Sequence, residues 1–237
     1  MRLSKLIALV AMNASLYAVL GYAGYLGLFA PVLGVVRFWP SVFVPGLFAV
    51  LFGELVGGLG AAIGIFISDM IIHGNALLSL TVGVPANFLG FYTVGYLYRR
   101  LRGGGRKWLY ATLMEEIAVI LLVLLFVDTV TWLVATAYLA GLALTIIFTL
   151  VYGKLDMPEA VFACSTGLML GSLIIGLGVY AYSQLFTLPT GEKALPLAAA
   201  LLWFLWTYVT EIPFLTALVP VIAHAVKKTI SGVLSEG

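Results

Sequence analysis

Charge is what this sequence has least of. Lysine, arginine, aspartate and glutamate together make up 9% of its 237 residues, whereas 63% are hydrophobic. A water-soluble domain of this size must coat its outside with charge, and this chain has no such coat. Cysteine is nearly missing as well: the single Cys164 excludes an internal disulfide and leaves the redox compartment open. Histidine occurs twice, at His73 and His224, far apart in the chain, so no metal site and no cofactor are expected. Low-complexity tracts are absent. No hydrophilic stretch exceeds a short loop, which leaves no room for an aqueous catalytic or nucleotide-binding module, and no nucleic-acid partner is expected. The run Gly103-Gly104-Gly105-Arg106-Lys107 lacks the spacing and the following hydroxyl of a phosphate-binding loop, so ATP hydrolysis by these residues is not expected either.

What is present is apolar length. Mean hydropathy is +1.15. The chain has room for roughly six to nine membrane spans of about 20 residues each. The first apolar run, behind Arg2 and Lys5, continues to about Phe29. That is too long for a signal-peptide core and has no small-x-small exit, so it reads as an uncleaved first span. Eight segments follow from the apolar blocks and their breaks: 4–29, 41–55, 57–72, 77–98, a long block 108–152 that divides near Asp128-Thr129, 160–186 and 197–226. The block 108–152 must divide, because at about 1.5 Å per residue it overshoots a hydrocarbon core near 30 Å. Merging the short pairs gives six spans instead. The expectation is an all-α, polytopic integral membrane helix bundle of six to eight transmembrane helices, in a single transmembrane domain over 1–237.

Basic residues set the orientation. Arg2 and Lys5, the loop Arg99–Lys107, and Lys227-Lys228 all fall on one side if the span count is even. The N and C termini are then cytoplasmic, in a multi-pass protein of the cell membrane.

Ionisable and amide groups inside a bilayer are costly and usually face a bundle interior or a cavity. Arg37 and Trp39 lie in the first external loop, Asn87 near the middle of its span, Asp128 at the external end of its span, and Glu211 near the middle of the last. Pro213 removes a backbone hydrogen bond near Val209. These positions predict an outward-opening pocket lined by Arg37, Asn87, Asp128 and Glu211, with Trp39, Trp132 and Tyr208 around it, suited to a small, hydrogen-bonding, partly aromatic solute. A second reading has Asn87 and Glu211 bonding each other, or a backbone carbonyl, only to lock helices. Asp69, His73 and Asn75 read as turn residues near water. Tyr98 and Trp108 suit an interfacial aromatic belt.

Glu115 and Glu116 lie about two turns inside their span. Paired acids there suggest an intramembrane protease of the CAAX type, but the arginine expected four residues on is replaced by Ile117-Ala118-Val119-Ile120. Pairing with the loop Arg99–Lys107 is the expectation instead, and the chain is not expected to be an enzyme. On the first span, Ala14-x-x-x-Ala18 with Ala11 forms a smooth stripe for a helix to approach, from within the chain or from a partner.

The segments Val35-Val36-Arg37-Phe38-Trp39-Pro40, Phe48-Ala49-Val50-Leu51-Phe52-Gly53-Glu54-Leu55-Val56-Gly57-Gly58 and Gly60-Ala61-Ala62-Ile63-Gly64 together resemble the substrate-binding membrane subunits (S components) of energy-coupling factor (ECF) transporters, of the queuosine-precursor and vitamin type. Glu54 stands where that family commonly has proline. The resemblance covers residues 1–107; residues 108–237 add further transmembrane helices. It implies capture of a vitamin or other micronutrient from outside, then docking on a transmembrane coupling protein driven by two ATPase subunits. It also implies that Ala14 and Ala18 meet the coupling protein and that Arg37 and Trp39 belong to the loop closing over substrate. A proton-coupled secondary transporter using Glu211 or Asp69, and a lipid-acting membrane enzyme using Glu115 and Glu116, are the alternatives.

Overall fold

The fold is that of a computed structural model describing residues 2–28, 32–33, 36–37, 39–125, 132–152 and 157–235. Helix α1 (Leu3–Ala23) runs on through a π turn, Gly24–Leu28. A two-residue antiparallel ladder pairs β1 (Val32–Leu33) with β2 (Val36–Arg37). A 3-10 turn at Pro40–Val42 leads into α2 (Phe43–Phe52), and α3 (Glu54–Ile72) follows after one residue. One turn of helix, α4 (Ala76–Leu78), a π turn (Ser79–Gly83) and α5 (Val84–Leu101) form one continuous rod. Then come α6 (Lys107–Leu125), α7 (Trp132–Tyr152), α8 (Pro158–Leu185) and α9 (Leu197–Ser235).

Six of these rods are long and apolar enough to cross a bilayer: Leu3–Leu26, Glu54–Ile72, Ala76–Leu101, Lys107–Leu125, Pro158–Leu185 and Leu197–Thr229. The chain is a multi-pass membrane helix bundle. Its outer face agrees, because Leu3, Val19 and Leu125 are 71%, 65% and 77% exposed, and only lipid would solvate such a rim. The block 108–152 supplies α6 and α7; Asp128-Thr129, where its division is expected, lies outside the described residues.

The short helix has a physical origin. Pro40 opens the 3-10 turn, and Pro45 sits in the first turn of α2, where its missing N–H removes no intrahelical bond. At the other end Gly53 has φ +100°, a backbone conformation that L side chains rarely adopt, and it divides α2 from α3. A Cβ at Gly53 would meet nothing within 4 Å, so a substitution there is strained without being crowded. Gly53→Ala is expected to lower stability by about 1–3 kcal/mol, read as a lower melting temperature of the detergent-solubilised protein. An unchanged melting temperature would mean the turn does not hold this conformation.

The ends of the bundle differ in charge. Arg99 pairs with Glu54 across α5 and α3, the Gly105 N–H donates to Glu159 Oε1 at 3.1 Å, and Lys227 donates to the Tyr98 hydroxyl. At the other end Asn75 Nδ2 donates to the Tyr182 hydroxyl at 3.1 Å, and Gln184 Nε2 donates to the Leu195 carbonyl at 2.9 Å. The basic side chains Arg99, Arg102 and Lys227 gather at the first end. Tyr98, expected in an interfacial belt, is buried and carries Lys227 and Arg102 against its ring.

The small-residue stripe of α1 is used inside the chain. Asn13 Nδ2 donates to the Val56 carbonyl at 2.9 Å, Gly60 faces Asn13, and Gly64 faces the Ala14 carbonyl and Tyr17. Ala14 and Ala18 are 3% and 6% exposed. Ala14 and Ala18, expected to meet a coupling protein, face α3. The two halves of the chain share one core, with α5 against α8 and α2 against α9. The α5–α8 crossing is close because it is lined by glycine; a Cβ on Gly90 would stand 3.0 Å from the Gly167 carbonyl oxygen.

Candidate functional site

A half-open cavity of about 120 Å³ lies among α1, α3, α5, α8 and α9, beside the π turn. Its apolar wall is aromatic. Tyr17 meets Trp39 edge-on, with centroids 6.4 Å apart, and Phe91 at 6.2 Å. Trp39 reaches this position because Gly21 leaves space on α1 for its ring. Toward the basic end the cavity stops at Phe91, Gly90, Gly167 and Leu168, and the packed Val94 lies beyond. At the opposite end His73, Leu78 and Val179 line it.

The polar lining comes from four elements. Asn87 is fixed on both sides: its Oδ1 accepts from the Tyr17 hydroxyl at 2.8 Å, and its Nδ2 donates to the Gly83 carbonyl at 3.0 Å. Asp69 accepts from Ser79 Oγ at 2.7 Å, a contact created by the π turn, which turns Ser79 toward α3. The other Asp69 oxygen lies 3.3 Å from His73 Nε2. Since His73 Nδ1 accepts the Asn75 N–H at 3.0 Å, a neutral imidazole carries its proton on Nε2, toward Asp69. From the far side α9 contributes Thr207 and Glu211, and α8 contributes Ser172. Ser172 Oγ and Thr207 Oγ1 are buried without a hydrogen-bond partner among the described residues. Glu211, 5% exposed, has no hydrogen bond or ion pair to any described residue. Thr207 and Glu211 are one turn apart on α9, which runs toward the basic end, so Glu211 sits about 6 Å deeper.

Of the residues chosen from sequence, Trp39, Asn87 and Glu211 come together here. Asn87 and Glu211 do not bond each other; Asn87 is held by Tyr17 and Gly83. The backbone of Arg37 lies in β2 and Trp132 opens α7, but their side chains, and all of Asp128, lie outside the described residues. Tyr208 does not line the cavity. Asp69 and His73, read from sequence as turn residues, do line it; only Asn75 is a turn residue, its Oδ1 accepting the Leu78 N–H at 3.0 Å. Tyr17, Ser172 and Thr207 were not singled out. Tyr17 carried a readable signal, as a polar aromatic on the stripe of Ala14, Ala18 and Gly21. Ser172 and Thr207 carried none, since hydroxyls in membrane helices commonly bond their own backbone, as Thr216 does with the Ile212 carbonyl at 3.0 Å.

Tyr208 belongs to a second polar cluster, which also holds the two adjacent acids of α6. Ser165 Oγ donates to Glu115 Oε2 at 2.5 Å, Thr166 Oγ1 to Glu115 Oε1 at 2.7 Å, and the Tyr208 hydroxyl to Glu116 Oε1 at 2.9 Å. Ser165 Oγ and the Tyr208 hydroxyl are themselves 2.8 Å apart. Glu115 and Glu116 therefore bond α8 and α9 rather than the basic loop, which corrects that expectation. Trp108 stacks on Phe162 with centroids 4.9 Å apart, so it also packs inward.

No family model, curated protein or solved structure matches this chain.

Proposed function

We propose that this chain is the substrate-capturing transmembrane subunit of an ECF-type importer, taking a vitamin or other small micronutrient from outside the cell membrane. The observation that carries this reading is the cavity. It is built by five helices, walled by aromatic rings, supplied with unpaired polar groups, and stopped toward the basic end by the α5–α8 crossing. A site blocked on one side suits capture better than free conduction. The segments 35–40, 48–58 and 60–64 carry the family resemblance, and Trp39 within them stands in the cavity wall. Energy would come from a coupling protein with two ATPase subunits. With Ala14 and Ala18 covered by α3, a partner would meet the lipid-facing side of α1, where Ile7, Met12 and Leu16 are exposed.

The experiment is gentle purification of the tagged chain from its own membranes. Native mass spectrometry then looks for a retained small molecule and for companion subunits. Capture predicts a bound solute together with a membrane protein and an ATPase pair. An empty chain whose uptake collapses with the proton gradient would defeat the proposal.

A proton-coupled carrier is the second reading, and the Glu115–Glu116 cluster favours it. The three contacts Glu115–Ser165, Ser165–Tyr208 and Tyr208–Glu116 need three protons, while the two hydroxyls supply two. The chain of contacts is complete when one carboxyl holds the third. In a carrier, Glu116→Gln would uncouple uptake from the gradient; in a capture subunit it would leave ATP-driven uptake in place.

A further inference from the structure

The cavity's unpaired groups name a class of solute. We infer that it selects a small ring bearing a primary ammonium group, with the ammonium seated on Glu211; this rests on the capture reading above. Asp69 is already answered, by Ser79 and His73. Glu211 is not: it is 5% exposed, faces the cavity, and has no partner among the described residues. No lysine or arginine lines the cavity among the described side chains. A carboxylate held in a membrane interior without a cation is costly, and a cationic ligand removes that cost. Ser172 Oγ and Thr207 Oγ1, both buried and unpartnered among the described residues, line the same cavity. A primary ammonium has three donors and no acceptor, and these three side chains supply three acceptors. The aromatic wall of Tyr17 and Trp39 takes the ring. Size limits the ring. A closed cavity near 150 Å³ holds benzene; this one is about 120 Å³ and open on one side, so a single ring is the upper limit inside it, any short arm must use the open side, and a two-domain cofactor is excluded.

The test uses two probes of nearly the same shape, benzylamine and benzyl alcohol, titrated by calorimetry into the purified full chain at neutral pH. Benzylamine is expected to bind at least about tenfold more tightly, as one charge-assisted contact provides. In Glu211→Gln that preference should shrink to roughly twofold or less, because a neutral amide no longer rewards charge. The wild-type comparison decides by itself if the variant fails to fold. Equal binding of both probes would overturn the ammonium assignment while leaving a capture cavity for neutral solutes. Binding of neither would overturn the cavity as a small-ring site and the capture reading with it.

Discussion

Gly167→Val is expected to leave little folded protein. At this position α5 and α8 touch backbone to backbone: a Cβ on Gly167 would lie 2.7 Å from the Gly90 carbonyl oxygen and 2.5 Å from Val94 Cγ2. No flexible side-chain tip can yield there, so the helices must separate. Overpacking of a tight interior costs about 1–3 kcal/mol when side chains can adjust, and a crossing of two backbones sits at or above the top of that range. Without a water-driven hydrophobic term between helices, close packing is a main source of their cohesion in lipid. The same separation would open the inner end of the cavity. Size-exclusion chromatography of detergent-solubilised protein after a short heat step is the measurement: Gly167→Val should run largely as aggregate under conditions where wild type stays monodisperse. Gly167→Ala should fall between them. A Val variant that melts like wild type would show that α5 and α8 do not meet at these glycines.

The second large effect runs the other way, sparing the fold and removing the ligand. Ser172→Phe places a ring in the cavity from the α8 wall. The lost hydroxyl is buried without a partner among the described residues, so its removal costs no hydrogen bond to them. An apolar group filling empty space should hold or raise the melting temperature. Any solute retained by wild type should lose about 100-fold in affinity, about 2.7 kcal/mol, and vanish from the native mass spectrum. Retention of the same molecule by a well-folded Ser172→Phe protein would move the binding site elsewhere.

How much of this could be read from the sequence depends on what each residue's signal was. The helices were legible because apolar blocks and basic flanks act over twenty residues at a time. That residues 108–152 supply two helices, α6 and α7, was legible because a block of 45 residues, most of them apolar, cannot cross in one piece. Glu211 and Asn87 stood out because amide and acid groups are costly in lipid. Asp69 and His73 were misplaced for a local reason: the π turn at Ser79–Gly83, with Pro85 just after it, draws the start of the α4–α5 rod toward α3 and encloses residues that hydropathy alone leaves at the water boundary. Ala14 and Ala18 show a different limit. A small-residue stripe says that some helix comes close, and nothing in its spacing says whose. Glu115 and Glu116 were assigned the nearest basic residues along the chain, whereas the fold brings Ser165, Thr166 and Tyr208 to them from 50 to 92 positions away in the chain, too far for any periodicity to register.

The cavity has a split parentage. Tyr17, Trp39 and Phe91 come from the first part of the chain, Ser172, Thr207 and Glu211 from the second, and the glycine loop at 102–106 is the covalent tie between those parts. An occupant gripped from both sides is therefore a molecular rivet. Because anything that binds only the assembled form stabilises it in proportion to the logarithm of its concentration, a chain nicked in that loop should come apart at a higher temperature when filled than when empty.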